Sequence, residues 1–439
     1  MLRNSLLFTV ILICAFNSNA ATANVDRCKA MVDKFLQNKA NTIDDDVVTN
    51  FRSFGYDAVD AIADRIDIET KSQNPNHKLY RAFGMAIQKT DSELEADQNI
   101  QKLEDLLDAV SKQRHGCASR ILWHTDMQEA LGVAKASGKP VLSLRMLGNL
   151  TDEFSCANSR FFRTTLYSNE SISKLLRANF VLHWQSVRPV PKVTIDFGDG
   201  RVLNRTITGN SAHYLLTADG RTIDCLPGLY GAEPFKQWLV SGSDFARRIA
   251  AAPKSKQQEL VQRHHRERIE SLNTQLTSHM SVVDPEFIND RSVETFESFM
   301  TDALWQKLAS RHSNWGRLDK ASKNLISTEN PIANKAAPTA GEAVPLAVTK
   351  AFVETPMVRM LRHLENNIGI DSVRNEYVLH RRIHHWFAIS QKPLELEQLN
   401  ERVYAKLFLT PSSDPWLGLK PAGVYSGLEN DGVAISNRK

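Results

Sequence analysis

Cysteine is scarce in this chain, at 5 of 439 residues. Signature loops of common chemistries are missing as well. No glycine-rich phosphate loop, no GxSxG elbow and no HExxH pair occurs, so hydrolase and nucleotide-binding readings have no support and no cofactor is expected. Charge of one sign is lacking: 54 basic against 50 acidic residues leave +4, too balanced to argue a nucleic-acid partner. The densest basic run, Arg263 to Arg268, is interleaved with Glu259, Glu267 and Glu270 and reads as a solvated helical face. Beyond the first 20 residues no stretch is apolar enough to span a membrane, and no internal repeat is found.

What is there suffices for packed cores. Hydrophobic residues make up 42% of the chain, and its length fits two or three domains. Residues 1–20 read as a signal peptide: Arg3 supplies charge, Leu6 to Phe16 is apolar, and Ser18-Asn19-Ala20 offers small residues for cleavage, with Ala23 as the second site. The apolar run is short for an anchor, and Ile13 before Cys14 argues against lipid attachment. The expected location is therefore exported, periplasmic or extracellular. Cys28, Cys117, Cys156 and Cys225 would then lie in an oxidising compartment, where a Cys28–Cys117 bridge is expected.

The pattern along the chain changes several times. Residues 24–118 read as helices, with Val25, Cys28, Met31, Val32 and Phe35 at helical spacing, and Ser72 to His77 as a connection. Residues 119–250 read as α/β: a helix over Asp126–Ser137 stopped by Gly138, a buried strand over Val141–Leu147, a helix opening near Ser155, a helix over Ser171–Arg177 and a strand over Phe180–Val187. Two hairpins turn on Gly198-Asp199-Gly200 and on Asp219-Gly220, and a closing helix opens at Pro234. Residues 251–325 read as helical and 326–345 as a linker or exposed loop. Residues 346–439 read as helical with an extended tail packed around Trp416. In that region Thr355-Pro356 is expected to start one helix and Gly369 to end it, with Asp371 capping the next, to about Ala388.

The middle block resembles the thioredoxin-like superfamily, in the branch found in exported bacterial proteins. Trp123 precedes a helix that leads into Ser137-Gly138-Lys139-Pro140-Val141-Leu142, and Cys156 and Ser159 occupy the places of the CxxC pair. Tyr167-Ser168-Asn169-Glu170 falls at the break of the active-site helix, and Leu215 to Arg221 resembles the family's second hairpin, with Gly228 after it. The fold class implied is α/β, a central thioredoxin-like sheet-and-helix domain flanked by mainly helical regions. The sequence departs from the family in having Ser159 for the second cysteine, Ser211 where a cis-proline is usual, a longer loop from Leu147 to Phe154, and an inserted hairpin over 193–207.

Two constellations carry chemistry. The resemblance implies thiol–disulfide exchange with protein thiols or disulfides as partners. Its nucleophile would be Cys156 in the first turn of a helix capped by Ser155, where helix N–H groups favour a thiolate. Ser159 would donate to it, with electrostatic support from Arg160 and Arg163. Without a second thiol a local dithiol cycle cannot run, so a single-cysteine exchange or isomerase-type factor is the first reading, and a redox-inactive binding or adaptor module the alternative. A Cys156–Cys225 disulfide would end the redox reading. The second constellation is Glu376, His380 and His384, four residues apart on the inward face with Val373, Tyr377 and Phe387. Two histidines at i and i+4 can share a metal with a carboxylate, but no fourth ligand is evident, so a hydrogen-bonded network is expected and no metal is assigned, with a metal-binding helical domain as the further alternative function. His264-His265 is weaker, since adjacent helical side chains diverge.

Overall fold

A computed structural model describes residues 23–38, 43–72, 91–284, 296–329, 346–420 and 427–433. The signal segment with Cys14, residues 73–77 of the polar connection and residues 330–345 of the linker lie outside them. A strand covered on both faces has no polar edge to show, and the runs that read that way become the centre of a mixed sheet. The strands are β1 (Trp123–His124), β2 (Val141–Leu147), β3 (Val181–Arg188), β4 (Lys192–Asp196), β5 (Val202–Thr206), β6 (Ser211–Leu216) and β7 (Thr222–Pro227). Five of them pair in the order β1-β3-β2-β6-β7. β1 and β2 both run parallel to β3, while β6 is antiparallel to β2 and β7 to β6. Every residue of β2, β6 and β7 is buried. β4 and β5 form a separate two-strand ribbon, the expected inserted hairpin, with β4 exposed along its length.

The protein is mostly helical around this sheet. The first helices, α1 (23–37), α2 (Asp45–Arg52), α3 (Tyr56–Ser72) and α4 (Asp91–Ser111), bury Cys28, Val32, Phe51, Val59, Ile62, Leu103 and Leu107 in one apolar cluster. Next along the chain come α5 (Met127–Ser137), α6 (Ala157–Phe161), α7 (Glu170–Asn179) and α8 (Ala232–Ala251). Local chemistry explains their limits. Asp126 accepts the Glu129 N–H at 2.7 Å to start α5, and Gly138 ends it at φ +69°. Asn169 starts α7 by accepting from Ser171 and Ile172 N–H.

The carboxy-terminal helices correct the expectation. They are α9 (Lys254–Val283), α10 (Asp302–Arg311), α11 (Lys320–Glu329), α12 (Leu346–Arg374) and α13 (Arg381–Ile389). α12 runs through Thr355-Pro356, so no helix starts there, and through Gly369 and Asp371, so neither ends nor caps one. Gly369 lies against Gly316 at ordinary van der Waals distance, and the close approach belongs to Gly316, where a Cβ would fall 1.9 Å from the Glu365 carbonyl oxygen. A π-turn over Asn375–His380 then joins α12 to α13 without a break. Residues 326–329, expected in the linker, close α11.

The chain divides into two compact units, residues 1–393 and a smaller one, 394–439. In the smaller unit α14 (Leu396–Lys406) buries Leu399, Val403 and Tyr404. The tail is not organised around Trp416, which is 47% exposed; its turn is held by Asp414, which accepts the N–H groups of Trp416 and Gly418, and Leu417 is buried. No helix among the described residues is long and apolar enough to cross a membrane.

Candidate functional site

The CxxS motif sits where β2 hands over to α6, but its chemistry differs from the expectation. Cys156, not Ser155, is the N-cap, and its Sγ accepts the Ser159 N–H at 3.4 Å. The Ser159 hydroxyl donates to the Cys156 carbonyl at 2.9 Å, not to the sulfur. Arg160 donates to the Ser155 carbonyl at 2.8 Å and to Thr206 Oγ1 at 2.6 Å, which ties the inserted hairpin onto the motif. Arg163 is buried and donates to the Asp152 carbonyl, the Glu153 carbonyl and Ser155 Oγ, holding the long approach loop closed. Cys156 is 0% exposed, whereas the exchange reading needs a thiol that a disulfide can reach. Loop 148–154 and the β4–β5 ribbon, whose folded positions no local pattern announces, are held beside the motif by Arg160 and Arg163.

Cys28, Cys117, Cys156 and Cys225 are all free, so neither the Cys28–Cys117 bridge nor a Cys156–Cys225 bridge is formed. Burial pushes the Cys117 thiol up to about 11 and raises that of Cys225 well above its usual value, with Asp224 adding to the latter. Cys225 acts as a small core residue, and the half-buried Cys117 packs against the apolar cluster of the first helices.

The second constellation is assembled more completely than its sequence spacing implies. Glu376, His380 and His384 are all buried on one side of the π-turn and α13, as expected. The sheet brings them Asp224 from β7, and α9 brings His265 and Arg268. The Glu376 carboxylate accepts from His380 Nδ1 at 2.8 Å and from Arg268 at 3.3 Å. On the other side of the ring, His380 Nε2 lies 3.4 Å from Asp224 Oδ1. Asp224 also accepts from Trp238 Nε1 and from the Cys225 N–H, each at 2.8 Å. Gly228 lets this happen: its φ is +90°, and a Cβ there would fall 2.6 Å from the Asn375 amide that docks the π-turn on the Leu229 carbonyl.

Electrostatics divides the three histidines. Burial alone would lower the His380 imidazole, but Glu376 and Asp224 together lift it to about 9. The same pairing overrides burial for both carboxyls and holds Asp224 well below the usual range. Burial lowers His265 to about 4 and holds His384 well below its usual value, with the neighbouring His380 adding to both. The hydrogen bonds then assign tautomers. The Ile223 carbonyl can only accept, so His265 Nε2 carries its hydrogen, at 2.9 Å. His265 Nδ1 is therefore the acceptor for His384 Nδ1–H at 2.7 Å. That leaves His384 Nε2 with a lone pair, buried and without a hydrogen-bond partner.

Sequence reasoning missed Asp224 and undervalued His265. A signal existed for Asp224: it is the single acid in an otherwise apolar strand, Ile223 to Leu226. His265 carries no such signal, because only the packing of α9 against α13 and β7 turns it inward. Beside the cluster lies a cavity of about 220 Å³, lined by Asp224, Glu376, His380, Arg268, Trp238 and Trp315 among others. Chemically the arrangement can hold a positive charge between two buried carboxylates and can offer imidazole lone pairs to a cation. Compared with known proteins, the chain matches no family model, no curated protein and no solved structure.

Proposed function

We propose that this chain is an exported binding or adaptor protein on a thioredoxin-like scaffold, in which Cys156 survives as a helix cap and not as a redox nucleophile. The carrying observation is the 0% exposure of Cys156 behind the Arg160–Thr206 tie. A thiol must reach its disulfide to attack it, and Ser159 cannot resolve a mixed disulfide. The strand order β1-β3-β2-β6-β7, with a helix following β2 at the CxxS motif, supports the scaffold reading. The β4–β5 ribbon is the surface best suited to a protein partner, since Val193, Ile195 and Phe197 alternate onto one face and all are exposed.

The test is labelling of Cys156 by a small maleimide, followed by mass spectrometry, in native buffer and in urea. Modification only after unfolding is expected, with no disulfide-reductase activity in the native protein. Rapid stoichiometric modification of native Cys156 would instead favour thiol exchange through Cys156, Ser159 and Arg160. One observation favours that second reading: Cys156 keeps its place at a helix start, with its sulfur accepting the Ser159 N–H.

A further inference from the structure

The geometry points to a mononuclear divalent-metal site of the zinc type, with Asp224 Oδ1, His380 Nε2 and His384 Nε2 as protein ligands and a fourth position facing the cavity. One ligand atom from each of these three buried residues lies within 4.8 Å of the others. The separation of 3.4 Å between His380 Nε2 and Asp224 Oδ1 is long for a hydrogen bond. It matches the edge of a tetrahedron around zinc, roughly 3.3 Å for bonds of about 2.0–2.1 Å.

Independent of that spacing, His384 Nε2 is a buried lone pair with no partner, on a residue 1% exposed. Such an atom is costly to bury unless something occupies it. The surrounding groups are those that orient metal ligands. Glu376 accepts from the far nitrogen of His380 at 2.8 Å, His265 accepts from the far nitrogen of His384 at 2.7 Å, and Trp238 fixes the second oxygen of Asp224 at 2.8 Å. Glu376 is thus an orienting group and Asp224 the carboxylate ligand, which revises the triad read from helical spacing. The cavity touches Asp224 and His380, so an ion held there keeps an open position for water or an anionic ligand, the pattern of a three-ligand site with one exchangeable place. The site does not involve Cys156 and stands or falls separately from the scaffold reading.

The experiment uses the full chain without a polyhistidine tag, stripped with chelator and titrated with cobalt(II). One equivalent should bind with the visible d–d bands of a four-coordinate nitrogen/oxygen site, and zinc(II) should displace it. His384→Ala should weaken binding at least 100-fold with an unchanged circular dichroism spectrum, and Glu376→Gln should weaken it about 10- to 100-fold. Cys156→Ala should leave it unchanged. Absence of these bands in folded wild-type protein overturns the proposal, as does equal affinity in folded His384→Ala or Asp224→Asn. If those variants do not fold, the wild-type titration decides alone. Thiolate-to-cobalt charge-transfer bands there would place the ion on a cysteine and overturn the assignment too.

Discussion

His213 on β6 lends itself to a quantitative test. Its ring lies 4.8 Å from that of Phe162 and 4.9 Å from that of Phe235, with Tyr167 Oη 2.7 Å from its Nε2. No acid offsets this apolar setting, and burial alone lowers the imidazole to about 3. The folded-state value thus lies below the unfolded value of about 6.5, so the unfolded chain takes up a proton that the folded protein refuses. Stability from this residue is complete above pH ~6.5 and falls as the pH drops from there towards about 3. At pH 5 the loss is about 2 kcal/mol, at ~1.4 kcal/mol per pH unit below the unfolded value. His213→Gln keeps a polar partner for Tyr167 and cannot titrate. Urea unfolding of both proteins at pH 7 and pH 5 should show the wild type losing about 2 kcal/mol more than the variant. Equal losses would refute the argument and mean that His213 is protonated within the fold.

Four further outcomes are expected. In metal-free protein His380 behaves oppositely: its folded value of about 9 exceeds 6.5, so its contribution is complete below pH ~6.5 and disappears as the pH rises through 9. Glu376→Gln should flatten that alkaline loss in urea titrations. Gly228→Ala forces a side chain into a left-handed position against Asn375 and should cost more than about 1 kcal/mol by thermal unfolding. Asp126→Ala removes the cap of α5 and should cost about 1 kcal/mol in the same assay. Ile195→Asp with Phe197→Asp alters only exposed positions of the ribbon, so stability should stay within about 0.5 kcal/mol per site.

Local pattern was enough for much of the α/β region. The strand Val141–Leu147, the helix stop at Gly138 and both hairpin turns depend on runs of apolar residues and on glycines with positive φ, which are short-range properties. The inward face of Glu376, His380 and His384 was equally legible, because helical periodicity survives the π-turn well enough to keep all three buried. Tertiary structure decided the rest. Gly369 and Asp371 carry the letters of a helix end, yet α12 continues through both, since such propensities are weak and tertiary context overrides them. Cys156 is fully buried, and the neighbouring ribbon and approach loop are placed by Arg160 reaching the Thr206 hydroxyl and Arg163 the Asp152 carbonyl. Asp224 lies more than 150 residues from His380, and only the docking of the π-turn and α13 on β7 makes them neighbours, since a contact between remote segments leaves no trace in the local pattern of either.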